Sequence, residues 1–414
     1  MIQCDIAVIG GGPAGMAAAV AAYDSGITDV IIIDRDERLG GILQQCIHNG
    51  FGLHKLGKEL TGPEYAEHYE KQVQQRGIRV LSGTMVTDLT REKVITACNR
   101  SGIVKISAKA VVLAMGCRER SRGALNICGT RPAGVFSAGA AQKLINCEGY
   151  EVGKKAVILG SGDIGLIMAR RLTLEGTKVE AVCELMPYSG GLTRNIVQCL
   201  EDFDIPLYLS TTVVEIHGQK RLEGVTIAQV DANRNVIENT KRYISCDTLL
   251  LSVGLIPENE LTVQAGIAMS SVTGGAMVDE NRQTNVPGIF ACGNVLHVHD
   301  LVDYVSDEAE LAGLGAADYV RGTVEKASVN VQAGAGVRYV LPQTLHVDCE
   351  EDVSLYLRVT TPTEKVRITA TCEDKCLTSV VKLRTAPGEM EKLTLKKEVI
   401  GNLRGTVTIA LEEM

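Results

Sequence analysis

The 414-residue chain is expected to adopt an α/β fold: two Rossmann-like units, the second inserted in the first, followed by a C-terminal antiparallel β-sandwich. Three observations predict this. Residues 5–34 read as strand, GxGxxG turn, small-residue helix and second strand, ending on Asp34. Residues 156–184 repeat that order and end on Glu184; Gly10 to Asp34 and Gly160 to Glu184 both span 24 positions. From about Ser328 onward, period-two alternation replaces the strand–helix rhythm.

In the first unit, Ile6, Val8 and Ile9 belong to an apolar run that breaks into Gly10-Gly11-Gly12-Pro13-Ala14-Gly15. Gly10 suits the tight turn, Gly12 the close approach of backbone to a pyrophosphate, and Gly15 the packing of helix on strand. Free N–H groups and the positive dipole end at the helix start favour phosphates. Val30 to Ile33 form the next strand, and the Asp34 carboxylate is placed to accept from both hydroxyls of a ribose. In this setting the pattern predicts a dinucleotide site over an ordinary strand–helix turn.

The second unit opens with AVILG (156–160), turns through Gly160-Ser161-Gly162-Asp163-Ile164-Gly165 and continues into a helical stretch. An acid at Glu184 favours a free ribose 2′-hydroxyl, hence NAD; Arg194, ten residues on, tempers that preference. Asp163 would sit at a helix N-terminus, where capping is its simplest role. Three further strand-to-glycine junctions follow: VVLAMG (111–116) closes the first unit, LLLSVG (249–254) closes the second, and IFACGN (289–294) precedes a helix-like stretch from about Asp307 to Arg321. That order describes a chain that leaves one unit, builds another and returns. The expected domains are 1–121 with 258–324, then 122–257, then 328–414, with crossings near 118–124 and 255–260. Arg118, Glu119 and Arg120 begin the first crossing and read as solvated or interdomain.

In the last segment VSLYLRV (353–359), KVRITAT (365–371), SVVKLR (379–384), KLTLK (392–396) and TVTIAL (406–411) alternate apolar and polar residues between turns. Roughly 85 residues suffice for a seven-strand sandwich. The segment shows no chemistry of its own. Cys372 and Cys376 lack partner ligands at metal-site spacing and read as incidental.

Composition narrows the partners. A net charge of −8 and the lack of a basic, aromatic-interleaved stripe argue against nucleic acid and anionic membranes. No apolar run reaches membrane-spanning length. With a strand expected from residue 2, no signal or transit peptide is expected, and thirteen scattered cysteines without a CxxC pair suit reduced thiols; the expected location is cytoplasmic. Without tryptophan and with four phenylalanines, the core is aliphatic.

The motif order resembles the two-dinucleotide-binding-domain flavoproteins of the pyridine nucleotide–disulfide reductase superfamily, over about residues 1–322. In that family the first unit binds FAD and the inserted unit binds NAD(P)H. VVLAMGCRER is similar to the segment that follows the first unit, with Met115 in place of threonine. NVPGIFACGN resembles the second FAD motif, with Asn294 in place of the acid that contacts the ribityl chain; an amide can still hydrogen-bond ribityl hydroxyls. A narrower resemblance, carried by LGGILQQCIHNGFG (39–52), ELTGPEYA (59–66) and CGNVLHVHDLVDYV (292–305), is to flavoproteins associated with anaerobic glycerol-3-phosphate dehydrogenase, kin of opine oxidase and hydrogen cyanide synthase large subunits. That branch also carries a short extra C-terminal module. One departure is chemical: after Gly40-Gly41 stands Cys46 alone, and the second unit has no CxxC, so exchange by a vicinal dithiol is not expected.

The resemblance implies FAD contacts at Gly10, Gly12, Pro13, Ala14, Gly15, Asp34, Arg35, Gly41, Ile42, Val86, Ala114, Met115, Gly116, Gly293, Asn294, Leu301 and Val302. For NAD(H) it implies Gly160, Gly162, Asp163, Ile164, Glu184 and Gly254. Cys46 falls where the family chain passes the flavin ring; it would form a sulfenate or flavin adduct, or, as the plainer reading has it, pack against the ring edge. His48 is an acid–base candidate or a loop hydrogen-bonder. His297 and His299, near Asp300 and Asp303, share one side of an extended loop; His299 is the candidate for proton handling, and no third ligand for a metal is evident.

The expected function is hydride exchange between NAD(H) and FAD, with electrons passed to or from a small-molecule substrate or partner redox protein. One alternative is a subunit oxidising a C–N or C–O bond of an opine, amino acid or glycerol 3-phosphate, with a vestigial NAD site. The other is a non-catalytic flavin-binding scaffold. A homodimer or a hetero-oligomer with a dehydrogenase subunit is the assembly the resemblance implies.

Overall fold

The computed structural model describes residues 1–322, 327–373 and 375–414. Contacts divide the chain into two compact units, Met1–Cys117 with Pro257–Met414, and Arg118–Ile256. The C-terminal sandwich groups with the first unit, and the expected end of the first domain at residue 324 lies outside the described residues.

The first unit begins with β1 (Ile2–Ile9), α1 (Pro13–Asp24) and β2 (Val30–Ile33). It continues through α2 (Gly62–Gln75), β3 (Arg79–Leu81), β4 (Met85–Leu89), β5 (Val94–Asn99) and β6 (Gly102–Leu113). The sheet order is β3-β2-β1-β6-β5-β4. β1 pairs in parallel with β2 on one side and β6 on the other, while β4, β5 and β6 form an antiparallel meander. The second half of β1, Ile6–Ile9, and all of β2 are continuous runs of Ile, Val and Ala, every residue of them buried.

The inserted unit has a five-stranded parallel sheet. Its strands β7 (Val135–Ser137), β8 (Lys155–Leu159), β9 (Lys178–Cys183), β10 (Leu207–Tyr208) and β11 (Thr248–Leu251) stand in the order β7-β11-β8-β9-β10. α3 (Asp163–Leu174) links β8 to β9. A four-stranded sheet containing Thr211–His217, Gly224–Gln229 and Arg242–Ser245 covers one side.

The chain then re-enters the first unit. β12 (Ile289–Ala291) pairs in parallel with β6, placing Ile289 beside Val111 and Ala291 beside Leu113. α4 (Val302–Arg321) starts a turn earlier than the sequence suggested and packs along α1. Small residues permit that approach: a Cβ on Gly313 would stand 2.2 Å from the Ala18 carbonyl oxygen.

The C-terminal module is a two-sheet sandwich. One sheet holds β13 (Ser328–Ala333), β15 (Thr344–His346), β17 (Thr363–Cys372), β18 (Lys375–Thr385) and β20 (Val407–Glu413); the other holds β14 (Val337–Leu341), β16 (Val353–Val359) and β19 (Glu391–Leu395). Its core includes Leu345, Leu355, Leu357, Ile368 and Ile409. One pairing departs from the antiparallel expectation: β13 and β20 run parallel, Val331 beside Val407. These strands open and close the module, so no hairpin dictates their relative direction.

Candidate functional site

The first glycine turn does what its spacing required. Gly10 has φ 109°, and a Cβ there would stand 2.3 Å from the Ala114 carbonyl oxygen. A Cβ on Gly15 would fall 1.7 Å from the Gly10 carbonyl oxygen, so helix and strand meet backbone to backbone. A Cβ on Gly12 would meet nothing within 4 Å, which leaves open space at the start of α1. Gly41 has φ 53° and lies against the Gly12 Cα, and Ala14 lies against Gly293. Gly10, Gly12, Ala14, Gly15, Gly41, Ala114 and Gly293 are thus gathered round one helix end, beginning with Pro13 at its first position.

Asp34 is 8 % exposed. One carboxylate oxygen accepts from the Gly11 N–H and the other from the Asp36 N–H at 2.7 Å. Burial pushes its pKa above the ordinary carboxylate value, partly opposed by these two amides. The acid therefore braces the glycine turn, and each oxygen retains a second lone pair for a ribose hydroxyl. An open glycine, a helix N-terminus and a braced acid fit a bound dinucleotide. Of the other expected contacts, Met115 lies at the same turn, its N 3.2 Å from where a Cβ on Gly10 would stand, and is half-buried like Leu301 and Val302; Arg35 and Ile42 are exposed, Gly116 has φ 73°, and Val86 has its side chain in the core.

The inserted unit repeats the device. Gly160 has φ 102° and a Cβ there would fall 1.9 Å from the Ser252 carbonyl oxygen; a Cβ on Gly165 would stand 2.5 Å from the Gly160 oxygen. Gly162 faces open space, as does Gly254 at φ 103°. Glu184 accepts from the Ser161 N–H at 2.9 Å, the Ser161 hydroxyl at 2.7 Å and the Met186 N–H at 2.9 Å. Asp163 differs from the capping expectation. Gly162 is the N-cap of α3, and one Asp163 oxygen accepts from Leu192 N–H at 2.8 Å and Asn195 Nδ2 at 2.6 Å, since the start of the short helix Thr193–Cys199 lies over the start of α3. Ile164 is half-buried beside it, and Arg194 is exposed.

Of the reactive candidates, Cys46 is half-buried; its thiol donates to the Ile42 carbonyl at 3.3 Å and its own carbonyl accepts from Gly62 N–H at 2.8 Å. His48 is half-buried, its Nδ1 lying 3.0 Å from the Asn49 carbonyl oxygen and its ring 5.1 Å from that of Phe51. Facing a carbonyl oxygen, Nδ1 is the donor in that contact. All thirteen cysteines are thiols, none joined in a disulfide.

His297 and His299 do share one side, with ring centroids 4.2 Å apart, but that side faces inward. The His299 imidazole is 1 % exposed and 3.4 Å from the Glu308 carboxylate. Burial first, then His297, lowers its pKa to about 3, so the ring is neutral. Glu308 on α4 is the centre of the cluster. It accepts from Arg282 Nε at 3.1 Å, from His297 Nε2 at 3.2 Å and from Gly293 N–H at 2.9 Å. Despite desolvation, the two histidines and Arg282 hold its pKa well below the carboxylate range. Arg282 itself is buried in a left-handed conformation, φ 67°.

Sequence reasoning missed Glu308 and Arg282. Glu308 supplies the third ligand atom the histidines lacked, all three lying within 4.8 Å of one another. The charges argue against a metal all the same: a divalent ion beside Arg282, offset by one carboxylate, would leave two uncompensated positive charges fully buried. The cluster instead ties the loop before α4 to Gly293.

The family model described as pyridine nucleotide-disulphide oxidoreductase matches residues 4–340. One alkyl hydroperoxide reductase component, from Staphylococcus aureus (strain MRSA252), is 26% identical over 325 residues, 76% of this chain and 59% of that protein, so the chain spans about three fifths of the length of these relatives. Thioredoxin reductase of Ureaplasma parvum is 27% identical over 323 residues, covering 76% of this chain and 96% of that one. The solved thioredoxin reductase of T. acidophilum is similar in fold, with TM-score 0.63 at 23% identity over 77% of this chain and 99% of its own. A bacillithiol disulfide reductase from Bacillus cereus gives TM-score 0.62 at 18% identity, covering 77% and 98%.

Proposed function

We propose, for a chain that belongs to the pyridine nucleotide-disulphide oxidoreductase family, an oxidoreductase that holds FAD on its first unit and NAD(H) on its inserted unit and works without a redox-active dithiol. The family's cofactors are FAD and NAD(P)H. The observation that carries the reading is the repeated cradle. Each unit pairs an unobstructed second glycine with an acid braced against its own loop.

Flavin and nicotinamide, when bound, supply the hydride chemistry. This chain binds and orients them: the starts of α1 and α3 face phosphates, Asp34 and Glu184 face riboses, and Asn294 faces the ribityl chain. Glu184 sets the preference for NAD over NADP. His48, whose ring is half-buried, suits proton transfer better than the buried, neutral His299. Cys46, held by the Ile42 carbonyl, packs against the flavin edge and stays out of the electron path. With a lone cysteine there and no CxxC elsewhere, electrons leave to a small molecule or a partner redox protein, in keeping with the glycerol-3-phosphate-associated branch.

Anaerobic titration of the purified protein with NADH, followed in the visible, tests this. Rapid bleaching of a flavin band near roughly 450 nm is expected. A flavin band that NADH leaves intact, but an amino acid or glycerol 3-phosphate bleaches, would move the function to substrate dehydrogenation. A protein with no flavin band would overturn both.

A further inference from the structure

The C-terminal module lies almost wholly beyond the family match, which ends at residue 340. One of its contacts with the rest of the first unit is a grip on the loop 297–300, which leads into α4. We propose that the module is a positioning device for FAD, with Arg358 as the positioning residue acting through that loop on Asn294. This deepens the reading that the first unit holds FAD, and rests on it.

Arg358 lies on β16, where Val353, Leu355 and Leu357 fill the sandwich core and Tyr356 and Arg358 face the other way. The Arg358 guanidinium donates to the Val298 carbonyl at 3.0 Å and to an Asp300 carboxylate oxygen. The other Asp300 oxygen accepts from the Met390 N–H at 2.6 Å. Arg358 is fixed in turn by the Pro387 carbonyl at 3.2 Å and by Tyr339, whose hydroxyl stands 3.2 Å from His297 Nδ1. The Arg358–Asp300 side chains are 12 and 14 % exposed, so solvent screens the pair far less than a surface ion pair.

The loop's inner contact leads to the ligand. Val298 and Asp300, the two residues Arg358 grips, flank His299, and the His299 N–H donates to Asn294 Oδ1 at 3.0 Å. That bond decides which way the Asn294 amide is turned, a choice an asparagine otherwise leaves open. It directs Nδ2 towards Cys117 Sγ at 3.6 Å and makes the amide a donor at the ribityl position, where the family's acid accepts. Module, loop and amide therefore form one line: Arg358, the Val298 and Asp300 pair, the His299 N–H, Asn294.

A double-mutant cycle on FAD affinity tests it, with apoprotein titrated by quenching of flavin fluorescence. Arg358→Met and Asn294→Ala are each expected to weaken binding about tenfold, and the double variant no more than about twofold beyond either single one. Arg358→Lys, which keeps the charge but not the fork, should recover part of the loss. His346→Ala breaks a separate module contact, the 2.9 Å pair with Glu280, and should lower thermal stability without moving FAD affinity. If Arg358→Met does not fold, Tyr339→Phe replaces it in the cycle, with a smaller loss of the same non-additive kind. Losses that multiply to about a hundredfold, or a His346→Ala variant that loses FAD equally, would reduce Arg358 to a general stabiliser and overturn the proposal. An unaltered chain that takes up no FAD would sink the assignment of FAD to the first unit, and the role of Arg358 with it.

Discussion

Glu184 and Ser161 are joined twice: one carboxylate oxygen takes the Ser161 backbone N–H at 2.9 Å and its hydroxyl at 2.7 Å. The acid that faces a ribose in the proposed complex thus also sets the shape of the turn beneath the phosphates. Glu184→Ala removes both functions. The KM for NADH is expected to rise on the order of tenfold or more, with the ratio of flavin to protein absorbance unchanged. An unchanged KM would leave the inserted unit without a nucleotide role.

Gly12 and Gly15 separate binding from folding. The Cβ of a Gly12→Val variant would enter open space, so the protein should fold and melt near the temperature of the FAD-stripped parent but purify without FAD. Gly15→Val would drive side-chain atoms into the Gly10 carbonyl, 1.7 Å from the Cβ position, and should yield insoluble or unfolded chain. Expression, visible spectra and melting curves of the two variants check both outcomes.

The Glu308 carboxylate is buried with one guanidinium and two imidazoles around it. Glu308→Gln leaves Arg282 as an unpaired buried charge and should cost about 3 kcal/mol in denaturant unfolding. Combining it with Arg282→Met should cost less than the sum of the two single losses, because the second substitution removes the charge the first one stranded.

His346 provides a pH signature. Its hydrogen bond to Glu280 raises its pKa to about 9, above the value near 6.5 it has when unfolded. A raised histidine contributes stability fully below pH 6.5 and loses it as pH rises through about 9. Neighbouring Asp279, pushed up to about 7 by burial and by Glu280, works in the same direction at lower pH: the folded carboxyl keeps a proton that the unfolded chain releases above about 4. Melting temperature should therefore fall from pH 6 to pH 9.5, and His346→Gln should flatten the upper part of that slope. A slope unchanged by His346→Gln would assign it to other groups.

The glycine turns were legible because each is a local pattern: Gly10 and Asp34, like Gly160 and Glu184, are fixed by strand, turn and helix within one βαβ unit. The Glu308 cluster was not, since its partners come from a turn at Arg282, a loop at 297–299 and a helix. One signal was present: Glu308 falls on the α4 face that carries Val305, Ala309, Ala312 and Ala316, where a charge must have a partner. Arg358 was hidden for a different reason. Alternation in VSLYLRV correctly puts it outside the sandwich core, but only the tertiary fold shows that this outer face is covered by Asp300 and Val298 instead of water. The inward turn of His299 was equally beyond reach, because a period of two fixes a shared side without saying which side is the interior.

The parallel pairing of β12 with β6, and the packing of α4 on α1, bear on the order in which the polypeptide matures at the ribosome. The last strand of the central sheet and the long helix against α1 are encoded after the insertion, whereas residues 118–256 hold all five strands of their parallel sheet in one continuous run. The inserted unit can therefore close while the segment ahead of it still lacks that strand and helix. A nascent chain halted after residue 256 has cleared the exit tunnel, but before α4 has, should already protect 118–256 from protease and yet retain no flavin, which is acquired only once α4 has emerged.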